Sequence, residues 1–236
     1  MSIQNGKDYL YLIWKSPKSR TQYTVGKLAR NGRYEFSYVQ QQVEQAQTDG
    51  YTPIICFPDV TKTYYSDQLF PVFAARLPDP KRKDIDRILQ KYGLTHYDAY
   101  DLLKASGTRL PIDTYEFIDP LLEDITQPVC RRFLLAGSRH YLGCDGVCCD
   151  NAIKVERGEA VRLQPEPDNP SDPFAIQVYN QEGHMLGYIP RYYNESVCQH
   201  LLAGSEIHCH VCEVEQVKDG CRECIHLELN IQPKKN

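Results

Sequence analysis

The chain has 236 residues, 42% hydrophobic and 25% charged, an ordinary globular composition with length for one large domain or two of common size. No apolar run approaches the roughly 20 residues of a membrane helix. A formal net charge of −4 excludes a protein that coats nucleic acid through a broad basic face. Residues 1–127 carry 16 basic and 16 acidic side chains, and residues 128–236 carry 11 and 15. Any nucleic-acid contact in the second half must therefore be local and shaped.

In chain order, the opening segment has no basic stretch followed by an apolar core, so no signal peptide is expected and the cytoplasm is the expected location. Tyr9 to Trp14 reads as a strand by β-propensity. Ser16 to Arg20 is turn chemistry, and Gln22 to Leu28 returns as a second strand. Asn31-Gly32 is a hairpin signal before the alternating Arg33 to Tyr38. Gln40 to Thr48 reads as a polar helix ending at Gly50. Leu69, Val72, Phe73 and Leu77 recur at helical spacing, as do Ile85, Ile88 and Leu89 on a helix stopping near Gly93. A third helix is predicted from about Asp98 to Ala105, and residues 110–119 return to an extended pattern. Lys81-Arg82-Lys83 is the one basic cluster of this half, read as a solvated helix start rather than a phosphate contact.

The acidic stretch from Pro120 to Pro128 marks a boundary. The expected division is a domain over 1–120, a linker over 121–129 and a second domain over 130–236. Beyond it the reading is mostly β, with short strands at Arg132–Ala136, Ala160–Gln164, Ala175–Tyr179 and Met185–Ile189. A last hairpin is expected over 206–216 and 221–231, turning around Asp219-Gly220. Short strands at this spacing point to a small barrel or sandwich. The fold class is thus α+β: a small N-terminal antiparallel sheet with helices, then an antiparallel barrel.

Four pieces of the second half belong together: Gly137-Ser-Arg-His-Tyr141, Gly158-Glu-Ala-Val-Arg-Leu163, Pro167-Asp-Asn-Pro-Ser-Asp-Pro-Phe-Ala-Ile176 and Gly183-His-Met-Leu-Gly-Tyr-Ile-Pro190. Over roughly residues 130–230 this series resembles the HIRAN domain, a module appended to DNA-processing proteins. The resemblance implies an OB-like β-barrel that captures single-stranded DNA, notably a free 3′ end. It implies that Arg139 and Tyr141, at a strand exit, hold backbone and base. Asn169 and Asp172 would hydrogen-bond the terminal nucleotide, and Tyr188 is a further candidate by location. The chemistry is sensible, because an aromatic face stacks on any base and an Arg offers a forked donor to phosphate. The chain departs from some members in carrying Ser171 where they place an aromatic residue. The bland alternative is that Asn-Pro-x-Asp is good turn chemistry in its own right.

Residues 8–115 resemble the small N-terminal subdomain of HipA-type toxin kinases, on Leu10 to Trp14, Tyr23 to Leu28, Tyr34 to Tyr38 and Leu69 to Phe73. No Gly-rich phosphate loop accompanies them. The resemblance implies a detached docking piece whose partner is a HipA-type kinase.

Ten cysteines without an export signal read as thiols or metal ligands rather than disulfides. Cys209-x-x-Cys212 and Cys221-x-x-Cys224 have the pairing of a structural zinc site. Cys144, Cys148 and Cys149 form a second group. Against zinc, a hairpin turn over 217–222 pairs Cys212 near Leu227 and Cys209 near Asn230, strings the four thiols along two strands, and makes buried core thiols the competing reading. No nucleophile elbow or kinase-type catalytic set is present, so an enzyme such as a nuclease or anhydride hydrolase is not expected. The sequence thus predicts a non-catalytic accessory protein binding a nucleic-acid end. Its rival is an antitoxin-like regulator of a HipA-type kinase with no nucleic-acid binding.

Overall fold

The computed structural model describes residues 8–110, 113–122, 125–143, 153–215 and 225–233. The chain divides into two compact units, Met1–Pro120 and Leu121–Asn236.

Unit 1 is one antiparallel sheet with helices. In chain order it holds β1 (Asp8–Lys15), β2 (Gln22–Arg30), β3 (Tyr34–Tyr38), α1 (Gln40–Thr48), β4 (Thr63–Ser66), α2 (Pro71–Ala74), α3 (Ile85–Lys91), α4 (Ala99–Ser106) and β5 (Tyr115–Ile118). The strand order is β4-β3-β2-β1-β5. One face of β1 to β3 contributes Leu10, Leu12, Trp14, Val25, Leu28 and Phe36 to the core, met by Val43 and Ala46 of α1, Phe73 of α2 and Tyr100 and Leu103 of α4. Removing such apolar area from water is the main favourable contribution to folding. Helix α4 has its expected ends. The Asp98 side chain accepts from the Asp101 amide at 2.8 Å, and Gly107 closes the helix at φ +66°, where an added Cβ would lie 3.0 Å from the Phe117 carbonyl oxygen.

Two expectations need correction here. The helical spacing from Leu69 to Leu77 yields only the single turn of α2, after which the Arg76 and Leu77 amides donate to carbonyls three residues back and Pro78, without an N–H, cannot carry a helix on. Strand β4 went unread, and it completes the sheet edge beside β3. The basic cluster lies just before α3, where Arg82 is paired with Asp84 at 2.9 Å.

Unit 2 holds β6 (Val129–Leu134), α5 (Ser138–Tyr141), β7 (Arg162–Pro165), β8 (Ile176–Tyr179), β9 (Met185–Tyr188), α6 (Arg191–Leu202), β10 (Ile207–Val214) and β11 (Ile225–Ile231). They form two three-stranded antiparallel sheets, β10-β11-β6 and β7-β8-β9. Single bridges join the sheets at both edges, Ala136 to Tyr188 and Ala160 to His210. The pairings therefore run in a circuit, β7-β8-β9-β6-β11-β10 and back to β7, with two joints one bridge wide. Inside lie Ile176, Val178, Leu186, Val211, Ile225 and Leu227, all fully buried. The expectation of a mostly β half missed α6, whose Tyr193 ring packs 5.6 Å from that of Phe133 on β6. Within the stretch read as a linker, Leu121 is buried, and the Leu122 carbonyl lies 2.9 Å from His200 Nε2 of α6.

Candidate nucleic-acid interface

The site starts from one joint between the sheets. Ala136 and Tyr188 exchange two backbone hydrogen bonds, each 2.9 Å. That closeness requires glycine next door, since a Cβ on Gly187 would fall 2.5 Å from the Ala136 carbonyl oxygen. Immediately after the joint, Gly137 takes a left-handed conformation at φ +71°, and the chain turns into α5. The strand-exit pair Arg139 and Tyr141 therefore sits on a helical turn, not on the strand itself. This turn folds Tyr141 back over β9, where its ring centroid lies 5.8 Å from that of Tyr188 at an interplanar angle of 70°. Tyr141 is 36% exposed. Arg139 is also exposed, and its Nε donates to His140 Nε2 at 3.2 Å.

From Tyr188 a chain of hydrogen bonds leads into the β7–β8 loop. The Tyr188 hydroxyl donates to Glu166 Oε2 at 3.0 Å, and Asn169 Nδ2 donates to the same oxygen at 2.8 Å. Burial, together with the neighbouring Tyr141 hydroxyl and Glu166 carboxylate, pushes the Tyr188 phenol up to about 12. It stays protonated at any physiological pH and keeps its donor. Asn169 Oδ1 accepts from the Ser171 and Asp172 amides at 3.0 and 3.2 Å, the local bonding expected of an Asx turn. Asp172 Oδ1 in turn accepts from the Phe174 amide at 3.0 Å.

The other Asp172 oxygen faces α6. It accepts from Asn194 Nδ2 at 2.5 Å and stands 3.6 Å from Arg191 Nε. Helix α6 carries no acidic residue in its own first turn, so Asp172 supplies from a loop the negative charge that a helix N-terminus favours. Asp172 is thus a brace between loop and helix. The arc from α5 to α6 gathers Tyr141, Tyr188, Asn169 and Asp172. Arg139 lies two residues from Tyr141 and bonds to His140 rather than to the arc.

Three members of the arc escaped the sequence reading: Glu166, Arg191 and Asn194. Arg191 and Asn194 were missed with α6 itself, although Tyr193, Val197 and His200 do recur at helical spacing. Glu166 carries no local signal, and only the register of β7 against β8 brings it beneath Tyr188.

The cysteine pairs divide differently. Cys209 lies in β10, paired with Leu229, and Val211 pairs with Leu227. The expected register is therefore off by one residue at Cys209. A bulge between Val211 and Glu213 takes up the difference, and Cys212 sits in it. Burial pushes the Cys209 thiol up to about 12, with Cys212 and Glu228 adding to it. Cys144, Cys148, Cys149, Cys221 and Cys224, and the turn at Asp219-Gly220, lie outside the described residues. Among the described residues, no group of three or more His, Cys, Asp and Glu side chains is placed to hold a metal ion.

Residues 130–232 match the family model of the HIRAN domain, and residues 20–111 match that of the HipA N-terminal domain. The second half of the chain therefore carries a HIRAN domain, and the first half a HipA N-terminal domain. Among solved structures, the HIRAN domain of human HLTF is similar at 23% identity and a TM-score of 0.35, covering 46% of this chain and 82% of that one. A protein from Lactobacillus plantarum is similar at 23% identity and a TM-score of 0.33, covering 45% and 99%. No curated protein matches the chain. Among the described residues, no helix is long and apolar enough to cross a membrane.

Proposed function

We propose that the protein is a non-catalytic accessory factor whose HIRAN domain captures the free end of a nucleic-acid strand, the 3′-hydroxyl end of single-stranded DNA in the first instance. The observation that carries this is the arc itself. An exposed tyrosine is set edge-on against a second tyrosine, and the hydroxyl of the second runs through Glu166 to Asn169 and Asp172. Tyr141 supplies a stacking surface for one base, worth about 1–3 kcal/mol. Arg139 and Arg191 supply cations for one or two phosphates. The carboxylates accept hydrogen bonds from a terminal sugar hydroxyl and repel a phosphate in its place. A domain of net negative charge can bind an end in this way, because few phosphates are engaged. Its HipA N-terminal domain docks a protein partner, and a HipA-type kinase is the partner its family favours.

The test is fluorescence anisotropy of a short labelled single-stranded DNA with a 3′-hydroxyl or a 3′-phosphate, on the wild-type protein and Tyr141→Ala. Tyr141 is the residue to remove because its ring is partly exposed, whereas Asp172→Ala would also loosen α6. Binding that prefers the hydroxyl end and weakens about 5- to 100-fold in Tyr141→Ala supports the reading. Absence of binding to either DNA at low salt ends it. That outcome leaves the second reading, an antitoxin-like regulator of a HipA-type kinase, which rests on the match over residues 20–111.

A further inference from the structure

The tyrosine pair stands at one margin of a wider polar face. Strands β7, β8 and β9 bury one side, with Ile176, Val178 and Leu186 fully enclosed. Side chains alternate along a strand, and directly paired residues share a face. The register sets Gln164 opposite Gln177 and Gln177 opposite Tyr188, so these three share the outer side. Two residues further along, Arg162 is opposite Tyr179 on the same side.

These side chains are tied to one another rather than left loose. The Arg162 guanidinium carbon lies 4.7 Å from the Tyr179 ring centroid, a cation–π contact. Arg162 Nη1 donates to Gln164 Oε1 at 2.7 Å. The Tyr179 hydroxyl donates to Gln177 Oε1 at 2.7 Å, and Gln177 stands directly opposite Tyr188 across β8 and β9. A continuous row results, from Tyr141 through Tyr188, Gln177 and Tyr179 to Arg162. Arg162 and Gln164 are exposed and Tyr179 is half-buried. The guanidinium is held against the ring and faces solvent as a flat cationic surface.

We propose that this outer face of β7–β8–β9 is the track along which a single strand leaves the arc that captures its end, with the Arg162–Tyr179 pair as its second stacking platform. The assignment rests on the end-capture reading. Bases splayed from a single strand stack on aromatic rings and on guanidinium planes. Amides such as Gln164 and Gln177 offer both donors and acceptors to base edges or sugars. Stepping two residues along a strand advances about 6.6 Å, and crossing to the next adds about 4.8 Å, so the Tyr179 backbone lies about 8 Å from that of Tyr188. That is the reach of one or two nucleotides of extended strand. Charge favours the same occupant, since Arg162 adds a cation to a site poor in them. A protein-docking face would instead present large apolar side chains, and among the described residues the exposed ones lie off β7, β8 and β9, with Tyr141 of α5 alone at the margin.

The test measures the affinity of the full chain for oligothymidylates of two, four and eight nucleotides with free 3′-hydroxyls. The variants are Arg162→Ala, Arg162→Lys and Tyr179→Ala. Arg162 is exposed, so its replacement leaves the fold intact, which circular dichroism verifies. In the wild-type protein the eight-nucleotide strand is expected to bind about 5- to 100-fold more tightly than the two-nucleotide strand. Arg162→Ala and Tyr179→Ala are expected to lose this gain while still binding the dinucleotide. Arg162→Lys, which keeps the charge without the plane, is expected to recover only a minor part. Equal affinity for two and eight nucleotides, or a length gain that survives both alanine variants, overturns the track and leaves end capture standing. Absence of binding at every length overturns both.

Discussion

Gly187 is the residue on which the candidate site depends most. Its missing side chain lets β9 approach the strand exit after β6, and the left-handed turn into α5 begins one residue past that contact. A methyl group there meets a backbone oxygen at 2.5 Å and Leu135 Cγ at 3.0 Å. The backbone oxygen cannot move aside without breaking the joint, and the Leu135 side chain crowds the methyl from another direction. Gly187→Ala is therefore expected to destabilise the HIRAN domain by about 2–3 kcal/mol, and to weaken nucleic-acid binding with it by displacing Tyr141 from Tyr188. Chemical denaturation with an unchanged midpoint would contradict this view of the joint. Asp172 shows why a functional role cannot be read from a motif alone. Its turn chemistry was legible from Asn169-Pro-Ser-Asp172, but its bonds to Asn194 and Arg191 come from a helix about twenty residues further on.

At the scale of elements, the strands were legible because residues of β-propensity are bracketed by turn chemistry, as at Asn31-Gly32 between β2 and β3. Helices α1 and α4 were legible because Gly50 and Gly107 stop them. Helix α6 was not, because its buried positions include Asn194 and His200, which weaken the apolar stripe a periodicity argument needs. The site was half legible: its turn and its tyrosines lie in short motifs, whereas the Glu166 hub depends on long-range register. The outer face of β10-β11-β6 has its own electrostatics. Arg132 Nε donates to Glu228 Oε2 at 2.6 Å and Asn230 Nδ2 to Oε1 at 3.2 Å. Burial alone would raise the Glu228 carboxyl, but these hydrogen bonds outweigh it and hold the group below its ordinary value of 4.5. A depressed carboxyl contributes stability that is fully present above the unfolded value and is lost as pH falls through the folded one. The pair is solvent-screened, so its contribution is roughly 0.2–1 kcal/mol. Glu228→Gln is expected to lower stability by that amount at pH 7 and to match the wild type at acid pH, once the carboxyl is protonated in the folded protein. An equal difference at both pH values would contradict the ionic account.

For the whole molecule, charge sets the terms of binding. The protein has a net charge of −4, and among the described residues Arg139 and Arg191 flank the arc, with Arg162 along the proposed track. With two or three phosphates engaged, log K should fall against log salt with a slope of about −1.4 to −2 for a single strand. Affinity must then come from stacking and from recognition of the end, not from counterion release. The most direct measurement of that claim compares one DNA sequence as a linear single strand and as a covalently closed single-stranded circle, by competition against the labelled linear form. The circle offers every phosphate and base but no end. Displacement by the linear strand and at least tenfold weaker displacement by the circle is the expected result. Equal competition by the two would contradict end capture and show that the HIRAN domain of this chain binds along a strand instead.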